Sequence, residues 1–203
     1  VFATSGGAIA SDGGNFVPGI LAVIGSGAAA DGSELILNGS ESVSALVNNQ
    51  PVRGVASGNV VINGALTTLT LTGAANVLNP GNVSGVSGQI SGTGNVAITG
   101  GTHTFSGNNS YSGTTTISGG ELELTGSAAI ANAGQVIVNG GNLDVLQNEI
   151  IGSLAGTGGT VTIAGGQALQ AGGNGGTTTY TGQINGGGSF IKDGTGVLTL
   201  TNT

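Results

Sequence analysis

Five segments of this chain follow one pattern: glycine, any residue, a β-branched residue, any residue, isoleucine or valine, any residue, glycine. Four of them close on a second glycine, namely Gly94–Gly101, Gly113–Gly120, Gly134–Gly141 and Gly159–Gly166, and Gly58–Gly64 is a weaker earlier copy. The four full copies start 19, 21 and 25 residues apart. Side chains alternate across a strand, so each copy predicts one inward set and one outward set. The inward set is Val96/Ile98, Thr115/Ile117, Val136/Val138 and Val161/Ile163, and the outward set is mainly Thr, Asn, Gln and Ala. A second short strand follows the glycine corner, as Glu121–Leu124 and Asn142–Val145, with Glu121, Glu123 and Asp144 outward. The expected unit is strand, glycine corner, strand, variable loop. Glycine at the corner permits a sharp bend and positive φ.

A repeat of this length with two strands and no helical period fits one coil of a β-solenoid. The expected fold is all-β, a right-handed parallel β-helix. At roughly 22 residues per coil, the chain would make about nine coils and a rod on the order of 45 Å. Sandwiches and antiparallel barrels also give many short strands, but they do not require one strand-corner-strand unit to recur. Helical folds fail because no long 3.6-residue period survives the glycines. A longer period is also present: Gly88–Gly94 matches Gly182–Gly188, and Gly101–Phe105 matches Gly196–Leu200. Glu34–Leu37 followed by Val43–Leu46 parallels Leu143–Val145 followed by Ile150–Leu154. Residues 1–203 are expected to be a single β-helical segment of a longer protein, with irregular coils over 1–87 and regular strand repeats over 88–203.

Composition narrows the partners. Charged residues are only 5% of the 203, the net charge is −7, and Arg53 and Lys192 are the two basic residues. Nucleic-acid binding needs many cations to displace counterions from phosphates, so no nucleic acid is expected as a partner. An anionic membrane surface is disfavoured for the same reason. No stretch approaches the roughly 20 apolar residues of a membrane helix, and the longest candidate, Phe16–Ile24, is interrupted by Pro18-Gly19. Without cysteine, neither a disulfide nor a thiolate metal site is possible. No basic leader opens the chain, so a secretion signal is expected to have been cleaved or to lie outside it.

The segment Thr104-Phe105-Ser106-Gly107-Asn108-Asn109-Ser110-Tyr111-Ser112-Gly113-Thr114-Thr115-Thr116-Ile117, running on to Leu124, closely resembles the passenger-associated strand repeat of autotransporter proteins. Lys192–Thr201 resembles the segment that opens that repeat, and Ile151–Gly159 resembles the linking coils of such passengers. The resemblance covers about residues 88–203 well and 1–87 loosely. It implies a Gram-negative protein with a signal peptide, a β-helical passenger at the cell surface or released, and a C-terminal outer-membrane barrel. His103 departs from the repeat, which usually places an apolar residue there. The chain stops where the matching copy continues into Asn109–Gly113, so another coil is expected beyond Thr203. The last coil is then expected to fray or to pair with a neighbouring molecule.

Candidate sites are few. His103, the only histidine, aligns with inward Leu122 and Leu143 and reads as a core residue. Glu121, Glu123 and Asp144 could form a small acidic patch that weakly attracts calcium, and a solvated outer face explains them equally well. Gly25–Ala30 mimics a dinucleotide fingerprint but leaves no room for the helix that would hold a pyrophosphate. Gly140–Asp144 lacks the third glycine of a calcium β-roll. Asn-x-Ser at Asn38, Asn82 and Asn108 carries little meaning in a bacterial protein. Tyr111, Tyr180, Phe105 and Phe190 read as core. No catalytic, cofactor-binding or metal-ligating residue is assigned, and no enzymatic activity is expected. The expected role is a structural stalk with an adhesive or self-associating surface, directed at host or neighbouring-cell molecules or at copies of itself. The alternative is a glycan-processing or glycan-binding β-helix.

Overall fold

The computed structural model describes residues 90–106 and 108–202, together with the backbone of nine short strands before residue 90. Gly25–Ala30, Asn38, Arg53 and Asn82 lie outside the described residues. Among the described residues all strand pairing is parallel and there is no helix, and the strands stack into a β-solenoid of about five turns. Each strand neighbours its counterpart one coil away, about 4.8 Å distant.

A coil has three faces. The first carries Ile90–Gly92 and, further along the rod, Glu149–Ile151, Ala168–Ala171 and Ser189–Lys192. The second stacks Asn95–Ile98, Thr115–Ile117, Gln135–Val138 and Ser153–Ala155. The third stacks Thr102–Phe105, Glu121–Leu124, Asn142–Val145, Thr160–Ile163 and Gln183–Gly186. The coil therefore has a third strand where the sequence reading put a variable loop. In the two middle coils, residues 108–112 and 128–131 pass along the first face without forming a strand. There Ser110 N donates to Ile90 O at 2.8 Å and Asn109 N to Ala128 O at 2.9 Å.

The alternation expected from sequence holds. Val96, Ile98, Thr115, Ile117, Val136, Val138, Val161 and Ile163 are all buried. On the third face, His103, Leu122, Leu143, Val161 and Ile184 stack in one inward column. Beside it run Phe105, Leu124, Val145 and Ile163. Tyr111, Tyr180 and Phe105 are the largest fully buried side chains, and Phe190 packs against the core from a partly buried position.

Three assignments of face are corrected. Thr160–Ile163 pairs with Asn142–Val145 on the third face, not with Gln135–Val138 on the second. Gly158-Gly159 is the corner equivalent to Gly140-Gly141, so the same pattern of glycines brackets strands on two faces. Asn59–Ile62 likewise pairs with Ile90–Gly92 on the first face, and Thr68–Leu71 is the partner of Asn95–Ile98. Glu34–Leu37 also joins the first face, one face away from the Leu143–Val145 it was matched to. The long repeat survives with a twist: its first copy runs over the first, second and third faces, and its second copy over the third, first and second.

Corners carry the ladder from face to face. Between the second and third faces, Glu121 N donates to Gly101 O at 2.8 Å and Asn142 N to Gly120 O at 2.9 Å. Gly120 has φ +71°, and a Cβ there would overlap the Gly101 carbonyl of the coil below. Asparagines add a side-chain link between coils. Asn95 Oδ1 accepts from Thr114 N at 2.8 Å and Thr114 Oγ1 at 3.1 Å. Asn139 Oδ1 accepts from Thr157 N at 3.1 Å and Thr157 Oγ1 at 3.2 Å.

Two substitutions test this packing. Val138→Asp places a charge in an apolar column and should cost several kcal/mol, about 3–5. Gly156→Ala meets the Val138 carbonyl at a φ of +140° and should also destabilise strongly. Urea midpoints within error of wild type for both variants would contradict the stacking described.

Candidate functional site

The outward side chains of the third face form two rows. One runs Thr102, Glu121, Asn142, Thr160, Gln183, and the other Thr104, Glu123, Asp144, Thr162, Asn185. Every residue in both rows is polar, because each strand alternates strictly about a buried column. Thr102 Oγ1 donates to Glu121 Oε2 at 3.3 Å, and Thr104 Oγ1 to Glu123 Oε2 at 2.8 Å. A hydrogen bond shared with Asp144 holds the Glu121 carboxyl above the usual carboxylate range, helped by slight burial and by the Asp144 and Glu123 charges and opposed by the Thr102 hydroxyl.

Fold thus brings Glu121, Glu123 and Asp144 together on one surface, as expected from their spacing. Among the described residues, no three acidic or histidine side chains converge as metal ligands would. The physical reason is the flat parallel sheet: neighbouring outward side chains stand side by side rather than pointing at one centre. The second face is different in chemistry. Its outward rows are Asn95, Thr114, Gln135 and Ala97, Thr116, Ile137, Ala155, with no ionisable group. On the first face, a shallow groove is lined by Asn148, Ala168 and Gln170, with exposed Ile150 and Ile191 beside them.

The interior holds more polar chemistry than the sequence pattern announced. His103, Asn109, Thr115, Glu149 and Ser153 are all buried. His103 sits in the inward column as expected, and its Nε2–H donates to Gly100 O at 2.6 Å. Burial lowers its pKa, with the Gly100 hydrogen bond opposing. Alternation turns Thr115 inward, and its hydroxyl is satisfied there by a 2.6 Å hydrogen bond shared with the Tyr111 hydroxyl. The Tyr180 hydroxyl donates towards Gly159 O and Gln183 O, each at 3.2 Å, and burial pushes its pKa up to about 12.

Asn109 and Glu149 were not singled out by sequence reasoning. Asn109 Oδ1 accepts from Ile90 N at 2.8 Å, and its Nδ2 donates to Ala129 O at 2.6 Å, so one amide spans three coils. Glu149 accepts from Ala129 N at 3.0 Å and Ile130 N at 3.1 Å. The available signal was the triplet Glu149-Ile150-Ile151, in which the glutamate points inward and Ile150 outward. A pattern search that assumes charge outside and aliphatics inside reads past it.

Comparison of the chain with family models, with curated proteins and with solved structures finds no match in any of the three.

The His103 environment generates a pH prediction. A folded-state pKa below the unfolded value of 6.5 means that the folded chain binds fewer protons, so this contribution to stability falls as pH drops below 6.5. His103→Leu removes it. The urea midpoint of His103→Leu relative to wild type should therefore rise as pH is lowered from about 7.5 to about 5. A difference that stays constant over that range would contradict a neutral buried imidazole.

Proposed function

We propose that this chain is a stalk segment of a secreted bacterial surface protein of the autotransporter type, and that it works through its outer faces rather than through a catalytic centre. The observation that carries this reading is the pair of unlike outer surfaces: an uncharged second face, with one row of Asn, Thr and Gln beside one of mainly Ala and Ile, and a third face polar in every coil, on which Glu121, Glu123 and Asp144 stand among Thr, Asn and Gln. Such rows offer many weak, evenly spaced contacts to another extended surface, where affinity grows by summing repeated interactions. The resemblance of residues 104–124 to the passenger-associated strand repeat supplies the surface location and the export route. Its Asn-Ser-Tyr-Ser-Gly core has a structural use in this chain, since Asn109 links coils and Tyr111 fills the interior. The rod presents its surface to host or neighbouring-cell molecules, or to other copies of itself.

Two measurements test the proposal. In sedimentation over a concentration series, a mass that rises with concentration would locate the contact between copies. A constant monomer mass with retention on cell-surface glycan or protein arrays would locate it on another molecule. Neither result would overturn the adhesive reading. Incubation with polysaccharides, esters and peptides should leave all three intact. Turnover abolished by a single acid-to-amide substitution would replace the stalk with an enzyme.

A further inference from the structure

We infer that the first face contains a proton-operated latch between two coils, in which the inward carboxyl group of Glu149 takes the place of a strand pairing and the seam loosens as that carboxyl ionises. The latch lies where residues 128–131 pass beneath the strand Glu149–Ile151. No strand ladder joins these two segments. The backbone donors of Ala129 and Ile130 turn instead to the two carboxyl oxygens of Glu149, at 3.0 and 3.1 Å. Two coils before Glu149, Asn109 accepts from Ile90 N in the same way with an amide, which cannot titrate. A single ionisable side chain therefore holds a contact that backbone carbonyls hold elsewhere in the rod.

The surroundings make this carboxyl sensitive. Glu149 is 1% exposed, and its neighbours in the inward column are Leu169 and Phe190. Tyr111 is the titratable group that faces it, and burial keeps that phenol protonated. Residues 128–131 and the strand Ala168–Ala171, which pack against Glu149, contribute no charged side chain. Glu121, Glu123 and Asp144 face outward on the third face, and Lys192 donates to the Asp193 and Gly194 carbonyls. Two forces then compete. Three backbone N–H groups, from Ala129, Ile130 and Ile150, favour the carboxylate, and burial favours the neutral acid. Burial is the larger and pushes the pKa up to about 7, from 4.5 when hydrated.

The closed seam therefore holds a proton that the opened seam releases. It is tightest below the hydrated pKa, and opening becomes up to about tenfold easier per pH unit until the buried pKa is passed. The whole span corresponds to roughly a 300-fold change in the opening equilibrium, flat at higher pH. The latch adds to a stalk a seam whose stiffness follows the acidity of its surroundings, and it stands whether or not the adhesive reading does.

Amide hydrogen exchange from pH 5 to pH 8, corrected for intrinsic rates, tests it. Protection of Ala129 and Ile130 should fall by about 100-fold relative to Leu122 and Leu143 on the third face, and Glu149→Gln should flatten the response. Equal pH dependence at all four amides, or a response that persists in Glu149→Gln, would overturn the inference. Should Glu149→Gln fail to fold, the carboxyl carbon of Glu149 in the wild-type chain can be titrated by carbon-13 NMR. A midpoint near neutrality supports the latch, and one in the ordinary carboxylate range overturns it.

Discussion

The hydrogen bond from one coil to the next is the constraint on which the rest of this molecule depends. In a parallel solenoid each backbone donor and acceptor can be satisfied only by the coil above or below. A residue's neighbours are therefore its equivalents one turn away. That rule forces like onto like: Leu122 on Leu143, Ile98 on Ile117, Glu123 on Asp144. It also explains the glycines at corners, where the ladder must continue while the chain bends and where backbone passes so close to backbone that a Cβ has no space. Where the backbone ladder lapses, side chains replace it, as Asn95, Asn109, Asn139 and Glu149 do.

Much of this was legible before any coordinates. Period-two alternation distinguishes inside from outside, and it placed Val96, Ile117, Leu122, Val138 and His103 correctly. Alternation says nothing about which face a strand occupies, because all three faces share one core and one rule of burial. The Gly159–Gly166 copy shows the difficulty: its glycines match those around a second-face strand, yet inter-coil pairing puts it on the third. Coil length gave no remedy, since successive third-face partners are separated by 19, 21, 18 and 23 residues. Insertions at corners absorb the difference without disturbing the ladder.

The candidate surface was half legible. Outward Glu121, Glu123 and Asp144 followed from strand alternation, and their gathering on one face followed from stacking. The buried polar links did not. Asn109 sits in a segment without strand periodicity, and Glu149 inverts the usual order of polarity. Both are governed by unmet backbone groups in an adjacent coil, information that no local window contains. Surface and interior thus call on different physics: the outer rows are repetitive and neutral or weakly acidic, whereas the polar interior is made of single, unrepeated solutions to single gaps.

The long repeat has one further meaning. Because its second copy begins on the third face, one face earlier than its first, the two copies point in different directions around the rod's axis. Internal duplication in such a rod does not multiply a binding stripe along one side. It redistributes the same outward residues in azimuth, so a partner lying along the rod reads a different text from one that wraps around it.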